Sequence, residues 1–502
     1  MAFQTKLILI IICLLSIRPN AVTQIYVAPD GNDTTNTGTI DSPYKTISKA
    51  ISVITFGDTI YLRGGNYIYS STISITKNGK PDSLYHLFAY ESERPIFDFA
   101  SQTSSDGIKV NGWYWYLKGI EVKNAYHNGI AVNGSYNIIE NCIVHDNRNT
   151  GLQLGNGASF NQIINCDSYN NVDYTQGNAD GFAPKLDVGT GNYFYGCRAW
   201  QNSDDGYDGY LRPSNNVTTI YEDCWCFMNG YLKDGSPSYG NGNGFKMGGS
   251  DDKTLMHNVL MIRCLSFNNR VKGFDQNNNK GSMTLYNCTA YNNGTNYGMG
   301  SAIYTDSGKA MTLINCVSLG SSVSIWSGAI QQTNSWMPPF SITAADFVSI
   351  DTTGVRGPRK ADGSLPDLNF MHLAEGSQLI DAGTDIGLYY NGLAPDLGAY
   401  EFVGPDNVNT EPIKPLKYVL KQNYPNPFNP STTISYQIGT LSHVTLKIFD
   451  VLGREISILV NREQSPGEYT IQWNAERISA GTYFYRLTAG PYTETRKLLL
   501  LK

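Results

Sequence analysis

Histidine is scarce in this chain, six among 502 residues, and no His or Cys pair joins the acidic clusters described below. That excludes a zinc centre of the usual nitrogen and sulfur kind at those clusters. Long apolar runs are nearly absent. The one at the N-terminus, Leu7–Leu15, falls far short of the roughly 20 residues a membrane helix needs. Strong helical periodicity is also scarce, which argues against a helical bundle. Net positive charge is missing too. Taking off residues 1–23 removes Lys6 and Arg18 and moves the net charge from −6 to −8. Residues 418–502 hold nine Lys/Arg against six Asp/Glu, so residues 24–417 stand near −11. Such a body is not a nucleic-acid or anionic-membrane binder. An acidic polymer stays open as a partner, because a bound divalent cation reverses the local field.

What the chain has is glycine, 50 residues, tyrosine, 34 residues, abundant asparagine, and a repeat. Cys142, Cys166, Cys197, Cys224, Cys264 and Cys288 are each followed five residues later by Asn: Asn147, Asn171, Asn202, Asn229, Asn269 and Asn293. Cys316 has Ser321 at that place. The shortest spacing is 24 residues, with short β-like segments such as 138–144, 162–168 and 283–290. A period of this size predicts an all-β chain wound as a right-handed parallel β-helix. One coil cannot bury its own face, so coils stack. Cysteines at one phase then form a column of small apolar core residues with free thiols. The asparagines are expected at sharp turns, tolerating left-handed backbone and bonding their neighbours along the stack. Cys224-Trp225-Cys226 puts both cysteines on one face and Trp225 on the other.

The ends of such a coil need covers. Residues 43–54 predict a short N-terminal capping helix with Tyr44, Ile47, Ala50, Ile51 and Ile54 on one face. Residues 373–402, with short apolar runs between Gly and Pro, are expected to close the other end. Residues 1–23 read as a secretory signal: Lys6, the apolar run, then Ala21-Val22-Thr23 as a cleavage site. Residues 24–403 form the β-helix domain and residues 404–417, with Pro405, Pro412 and Pro415, a linker. Residues 418–502 alternate as strands over 432–438, 444–449, 469–473, 482–487 and 493–500, a small antiparallel β-sandwich. That domain opens on Asn423-Tyr424-Pro425-Asn426-Pro427-Phe428-Asn429-Pro430 and closes with Gly481-Thr482-Tyr483-Phe484 and a basic last strand. It resembles the type A C-terminal sorting domain of the type IX secretion system. The resemblance implies an export address, the type IX machinery as a partner, and a secreted or cell-surface protein.

Chemistry concentrates where four stretches align: Asn178-Ala179-Asp180-Gly181-Phe182, Asp204-Asp205-Gly206-Tyr207-Asp208, Asn243-Gly244-Phe245-Lys246 and Lys272-Gly273-Phe274-Asp275. Weaker copies are Asn128-Gly129-Ile130 and Thr150-Gly151-Leu152. If each copy is one coil, Asp180, Asp205, Asn243 and Lys272 form one column. Ala183, Asp208, Lys246 and Asp275 form another. Asp180, Asp204, Asp205 and Asp208 then crowd together, and calcium, which takes six to eight oxygens in flexible geometry, suits such a cluster. Lys246 falls one coil from Asp208 on the same face. A lysine is a poor base at neutral pH unless a nearby cation lowers its pKa. Calcium beside a lysine base on an exported β-helix points to β-elimination on a uronate polymer. Lys185, Arg270, Lys272 and Lys280 are candidate substrate-binding groups.

At these residues the chain resembles polysaccharide lyase family 9 over about residues 24–402, most closely at Asn178–Phe182, Asp204–Asp208, Gly244–Gly249 and Lys272–Asn279. The resemblance implies calcium on Asp180, Asp204, Asp205 and Asp208 and catalysis by Lys246. It implies a monomeric, calcium-dependent lyase of pectate, and leaves rhamnogalacturonan or another acidic glycan as an alternative polymer. Gly230–Asn243, rich in Gly and Ser, is expected to form a lip over the cleft. Two other readings compete. A glycoside hydrolase on the same fold would use Asp204 and Asp205 as acid and base, but only elimination makes a conjugated alkene. A non-catalytic adhesin would also suit a β-helix, and the Asp and Lys set argues against it.

Overall fold

The computed structural model describes residues 23–81, 83–404, 418–438, 442–464, 467–489 and 492–501. Residues 1–22 of the expected signal and 405–417 of the expected linker lie outside the described residues. Three parallel sheets of twelve, ten and ten strands wind into a right-handed β-helix. The first sheet carries strands such as Val217–Glu222, the second Tyr207–Asp208 and Phe245–Lys246, and the third Arg198–Trp200 and Trp225–Phe227.

The segments that read as single strands are each two strands with a corner between them. Ile138–Glu140 belongs to the first sheet and Ile143–His145 to the third. Asn141 sits at the corner with φ 53°, and Asn165, Asp223 and Asn287 repeat it at 51°, 52° and 52°. A left-handed residue turns the chain from one sheet to the next at low cost when it is Asn or Asp. The following cysteine points into the core. All eight described cysteines are buried free thiols. Cys224 and Cys226 both face the interior, while Trp225 packs outside it.

The turn asparagines form a ladder through the stack. The Asn147 amide donates to Asn171 Oδ1 at 2.9 Å, and Asn171–Asn202, Asn202–Asn229, Asn229–Asn269 and Asn269–Asn293 repeat this at 2.9–3.0 Å. Where the repeat has Ser321, Asn296 takes over and accepts from Asn293. These buried side chains satisfy one another and the backbone of the turn. The left-handed residues are the ones just before them: Asp146, Asn170, Gln201, Met228, Asn268 and Asn292. The expectation that the ladder asparagines themselves are left-handed is corrected by one position.

The N-terminal cap is shorter than its pattern. Thr46 accepts a hydrogen bond from the Lys49 amide and starts a helix over Ile47–Val53. Ile47, Ala50 and Ile51 bury against the first coils, while Tyr44 reaches the core from an extended segment bridged to Val27. Residues 373–402 do not close the far end. With residues 340–371 they lie along the outer face of the third sheet, where Phe347, Phe370, Leu373, Leu379 and Leu397 cover Trp200, Trp225, Phe227, Leu265 and Phe267. The apolar outer face of that sheet, two large residues per strand in several coils, demands a cover along its length. At the far end Val323, Ile325, Trp326 and Trp336 pack on the coil core, the Trp336 ring 4.9 Å from Tyr297.

Residues 418–501 form antiparallel sheets of three and four strands that share one core containing Ile434, Tyr436, Leu446, Ile448, Tyr485 and Leu487. The strand Glu455–Gln464 was not expected; much of its surface is exposed and its alternation is weak. Among the described residues no helix is long and apolar enough to cross a membrane.

Candidate active site

The second sheet is built around a stack of aromatic rings. Phe182, Tyr207, Phe245, Phe274 and Tyr297 occupy matching places on successive coils, their centroids 5.1, 4.6, 5.3 and 5.0 Å apart. Each ring fixes its strand, so the residue before Gly and the residue after the ring project from defined positions. The glycine between them is required by close approach. A Cβ on Gly206 would lie 2.0 Å from Cys226 Sγ, which shares its column with Ala199 and Ser266, and 2.7 Å from Nδ2 of the ladder asparagine Asn229.

This register pairs Asp208 with Lys246 and Lys246 with Asp275. Carboxylate oxygens of Asp180, Asp205 and Asp208 lie within 4.8 Å of one another, all buried. Lys185 Nζ sits between two of them, 2.5 Å from Asp180 and 3.3 Å from Asp208. Lys246 Nζ lies 3.1 Å from Asp205 and 3.4 Å from Asp208, and 5.5 Å from the centre of the Tyr210 ring. Asp204 is buried beside this group, but its carboxylate accepts from the Asn241 amide of the 230–243 insert and is not one of the three within 4.8 Å.

Further donors hold the acids in place. The Asp205 amide and the Thr150 hydroxyl donate to Asp180 at 3.1 and 3.2 Å. Asn243 donates its backbone and side-chain N–H to Asp205 Oδ1, both at 2.9 Å. Asp205 Oδ2 is buried, and among the described residues it accepts no hydrogen bond beyond its ion pair with Lys246. His257 Nδ1 donates to Gly209 O at 2.7 Å, and its Nε2 accepts from the Thr219 hydroxyl at 2.8 Å, one residue along from Asp208. Burial lowers its pKa to about 4, so it supports this turn as a neutral ring.

The charges do not balance without a cation. Burial, with Asp205 and Asp180 adding repulsion, pushes Asp204 up to about 9. Burial raises Asp205 to about 7 although Lys246 pulls it down. Asp208 is buried as well, yet Lys246 and Lys185 hold it below the usual carboxylate range. Burial alone would lower the two lysines. Asp205 and Asp208 outweigh that for Lys246, and Asp180 and Asp208 for Lys185, and both are held above the ordinary lysine value. With all four carboxylates ionised, two ammonium groups leave two negative charges in excess, and burial together with that repulsion raises Asp204 and Asp205. Three convergent buried acids and that excess fit a hard divalent ion with oxygen ligands.

Of the other sequence candidates, Lys272 alone stands half-exposed near this rim, its Nζ 2.8 Å from Asp275. Arg270 is packed between Gly230 and Gly242 and donates to Gly240 O, so it anchors the insert. Lys280 is held to Ala302 O at 2.7 Å and covers the Tyr304 ring. Sequence reasoning missed Tyr210, whose hydroxyl donates to Asp251 Oδ1 at 2.6 Å and whose ring faces Lys246. Its place two residues after Asp208 was the available signal.

A family model described as "Pel9A-like, right handed beta helix region" matches residues 25–315, and one described as "Secretion system C-terminal sorting domain" matches residues 422–501. The chain is 42% identical over 392 residues to pectate lyase L of Dickeya dadantii (strain 3937), covering 75% of this chain and 90% of that protein. The crystal structure of pectate lyase Pel9A superposes with a TM-score of 0.71 at 41% identity, over 76% of this chain and 97% of that one. A rhamnogalacturonan lyase structure gives a TM-score of 0.61 at 27% identity, over 70% and 96%. The chain belongs to polysaccharide lyase family 9: it is a polysaccharide lyase of the pectate-lyase kind that carries a secretion-system sorting domain at its C-terminus.

Proposed function

We propose that this enzyme cleaves pectate by calcium-dependent β-elimination, with Lys246 as the base. The observation that carries the reading is the convergence of Asp180, Asp205 and Asp208 beside Lys246 on adjacent coils. Asp180, Asp204, Asp205 and Asp208 would hold calcium. Bound there, the ion would draw charge from a uronate carboxylate and acidify the proton at C5. Lys246, as the free amine, takes that proton. The electron pair forms the C4–C5 double bond and the C4–O bond breaks, releasing the rest of the chain. Lys246 is now held protonated by Asp205 and Asp208. Carboxylates engaged as ligands no longer hold that proton, so the same residues that need the ion govern the state of the base. Lys185 keeps its charge between Asp180 and Asp208 and acts as a fixed counter-ion.

Every group named here comes from one chain, so a single copy can complete the site. Residues 1–23 direct export and residues 418–502 direct passage through a type IX system to the cell surface or medium. The domain borders are 24–403 and 418–502, with 404–417 as linker. Rhamnogalacturonan is the second polymer to consider, given the structural likeness to a rhamnogalacturonan lyase. The test is purified enzyme on polygalacturonate and on rhamnogalacturonan, with and without calcium, read by the ultraviolet absorbance of the conjugated product. Calcium-dependent absorbance on polygalacturonate is expected. Product from rhamnogalacturonan alone would move the substrate, and no absorbance with either polymer would contradict the reaction.

A further inference from the structure

A second basic feature lies around the corner of the coil from the Asp cluster. The outer face of the third sheet and the segment 356–363 enclose a cavity of about 480 Å³, within the roughly 300–1,000 Å³ typical of ligand sites. Arg94, Arg198, Arg356, Arg359 and Lys360 line it, and Asp167 is the one acid among its lining residues. Tyr169 and Trp200 form part of its wall, in a stack that runs from His145 through Tyr169 and Trp200 to Phe227 at 4.8, 4.3 and 5.5 Å.

Arg94 is paired with Glu121, and the other four cations divide into two kinds. Arg198 forks onto Asp167 at 2.8 and 2.7 Å and donates to Val355 O and Gly357 O. Arg359 also binds Asp167 at 2.7 Å and donates to Gly363 O and Cys166 O. These two fasten the segment to the sheet, and one carboxylate shared by two guanidiniums leaves a positive charge. Among the described residues Arg356 has only the neutral Gln201 Oε1 as a hydrogen-bond partner, at 2.9 Å, and Lys360 faces a highly exposed Asp367 at 3.6 Å. Their charges are available to a ligand. Gln201 in turn donates to Leu232 O of the insert, and Trp200 is four residues before Asp204. The cavity and the catalytic cluster therefore occupy neighbouring faces of the same coils.

We propose that this cavity is a second binding site for an acidic oligosaccharide, a short run of uronates, separate from the catalytic groups. Guanidinium forks suit carboxylates, and an aromatic wall beside them suits the apolar face of a pyranose ring. Such a site would hold a polymer chain on the enzyme between cuts.

The experiment is calorimetric titration of the full-length enzyme with trigalacturonate in excess EDTA, which disables the calcium-dependent subsite. Binding is expected, and neutral galactotriose should not bind. R356E/K360E changes two exposed side chains outside the catalytic cluster. It should weaken trigalacturonate binding in EDTA by at least about tenfold, for two lost charged contacts. The same variant should keep the wild-type kcat with calcium and show a raised KM on long polygalacturonate only. No binding by the wild type in EDTA, or equal binding by wild type and a variant of unchanged Tm, would overturn the proposal. These readouts do not need turnover, so they fail or hold independently of the lyase reaction.

Discussion

Lys246 Nζ stands 3.1 Å from Asp205 Oδ2, a buried carboxylate oxygen with no other hydrogen-bond partner among the described residues. The pair joins two coils, since Asp205 precedes the strand Tyr207–Asp208 and Lys246 ends the strand Phe245–Lys246. An acid this buried is costly unless a cation offsets it. Lys246 supplies part of that offset, and a divalent ion would supply the rest.

Chelation should therefore abolish activity, and calcium should restore it better than magnesium, which demands tighter octahedral geometry. Asp205→Ala should weaken calcium binding in a calorimetric titration. Full turnover in excess EDTA by metal-free protein would rule out a catalytic ion, and unchanged calcium affinity in the variant would place the ion elsewhere.

The column of Cys142, Cys166, Cys197, Cys224, Cys264, Cys288 and Cys316, with Cys226, is buried and reduced. Thiol titration of denatured, unreduced mature protein should find all eight reactive. Titration that finds four disulfides would contradict the stacking of the coils.

His145 gives the β-helix a pH-dependent contribution. Its ring nitrogens lie 2.6 Å from Asp146 and 3.0 Å from Glu121, with Arg94 on Glu121, Lys233 on Asp146 and the Tyr169 ring stacked beside it. Burial lowers its pKa, but the two acids outweigh that and leave it raised. Stabilisation by charged His145 is thus complete below its unfolded value of about 6.5 and is lost as pH rises through the higher folded value. His145→Gln should lower Tm more near about pH 5 than near about pH 9. An equal loss of Tm at both would mean the ring is neutral throughout.

Much of the site was legible because a β-helix converts sequence phase into position. Gly followed by an aromatic fixed the columns, so Asp208 and Lys246 could be paired before any coordinates. Lys185 was read as a substrate contact, and its burial between Asp180 and Asp208 depends on Asp208 coming from the next coil. Arg270 was misjudged for a similar reason: the insert that covers it folds back from residues 230–243. The path of residues 373–402 was not legible, because their apolar residues match an end cap and a side cover equally well. Only the outward-facing aromatic row of the third sheet, Trp200, Trp225, Phe227 and Phe267, buried beneath that cover, decides between them.

Deleting residues 418–502 should leave a folded, active lyase that no longer reaches the surface of its native host. The two parts have separate cores, one over the coils and one within 420–500. Loss of turnover in the purified truncation would mean that the C-terminal domain helps to build the site.

The rate of the Lys246→Ala variant tests the central claim most directly, read as unsaturated product formed from polygalacturonate with saturating calcium. The account predicts a loss of roughly 10²–10⁴-fold, with calcium affinity and Tm close to wild type. It also predicts that Lys246→Arg stays slow, since a guanidinium keeps its proton at any usable pH. A Lys246→Ala enzyme that keeps more than about a tenth of the wild-type rate, far outside that range, would contradict the assignment of the base.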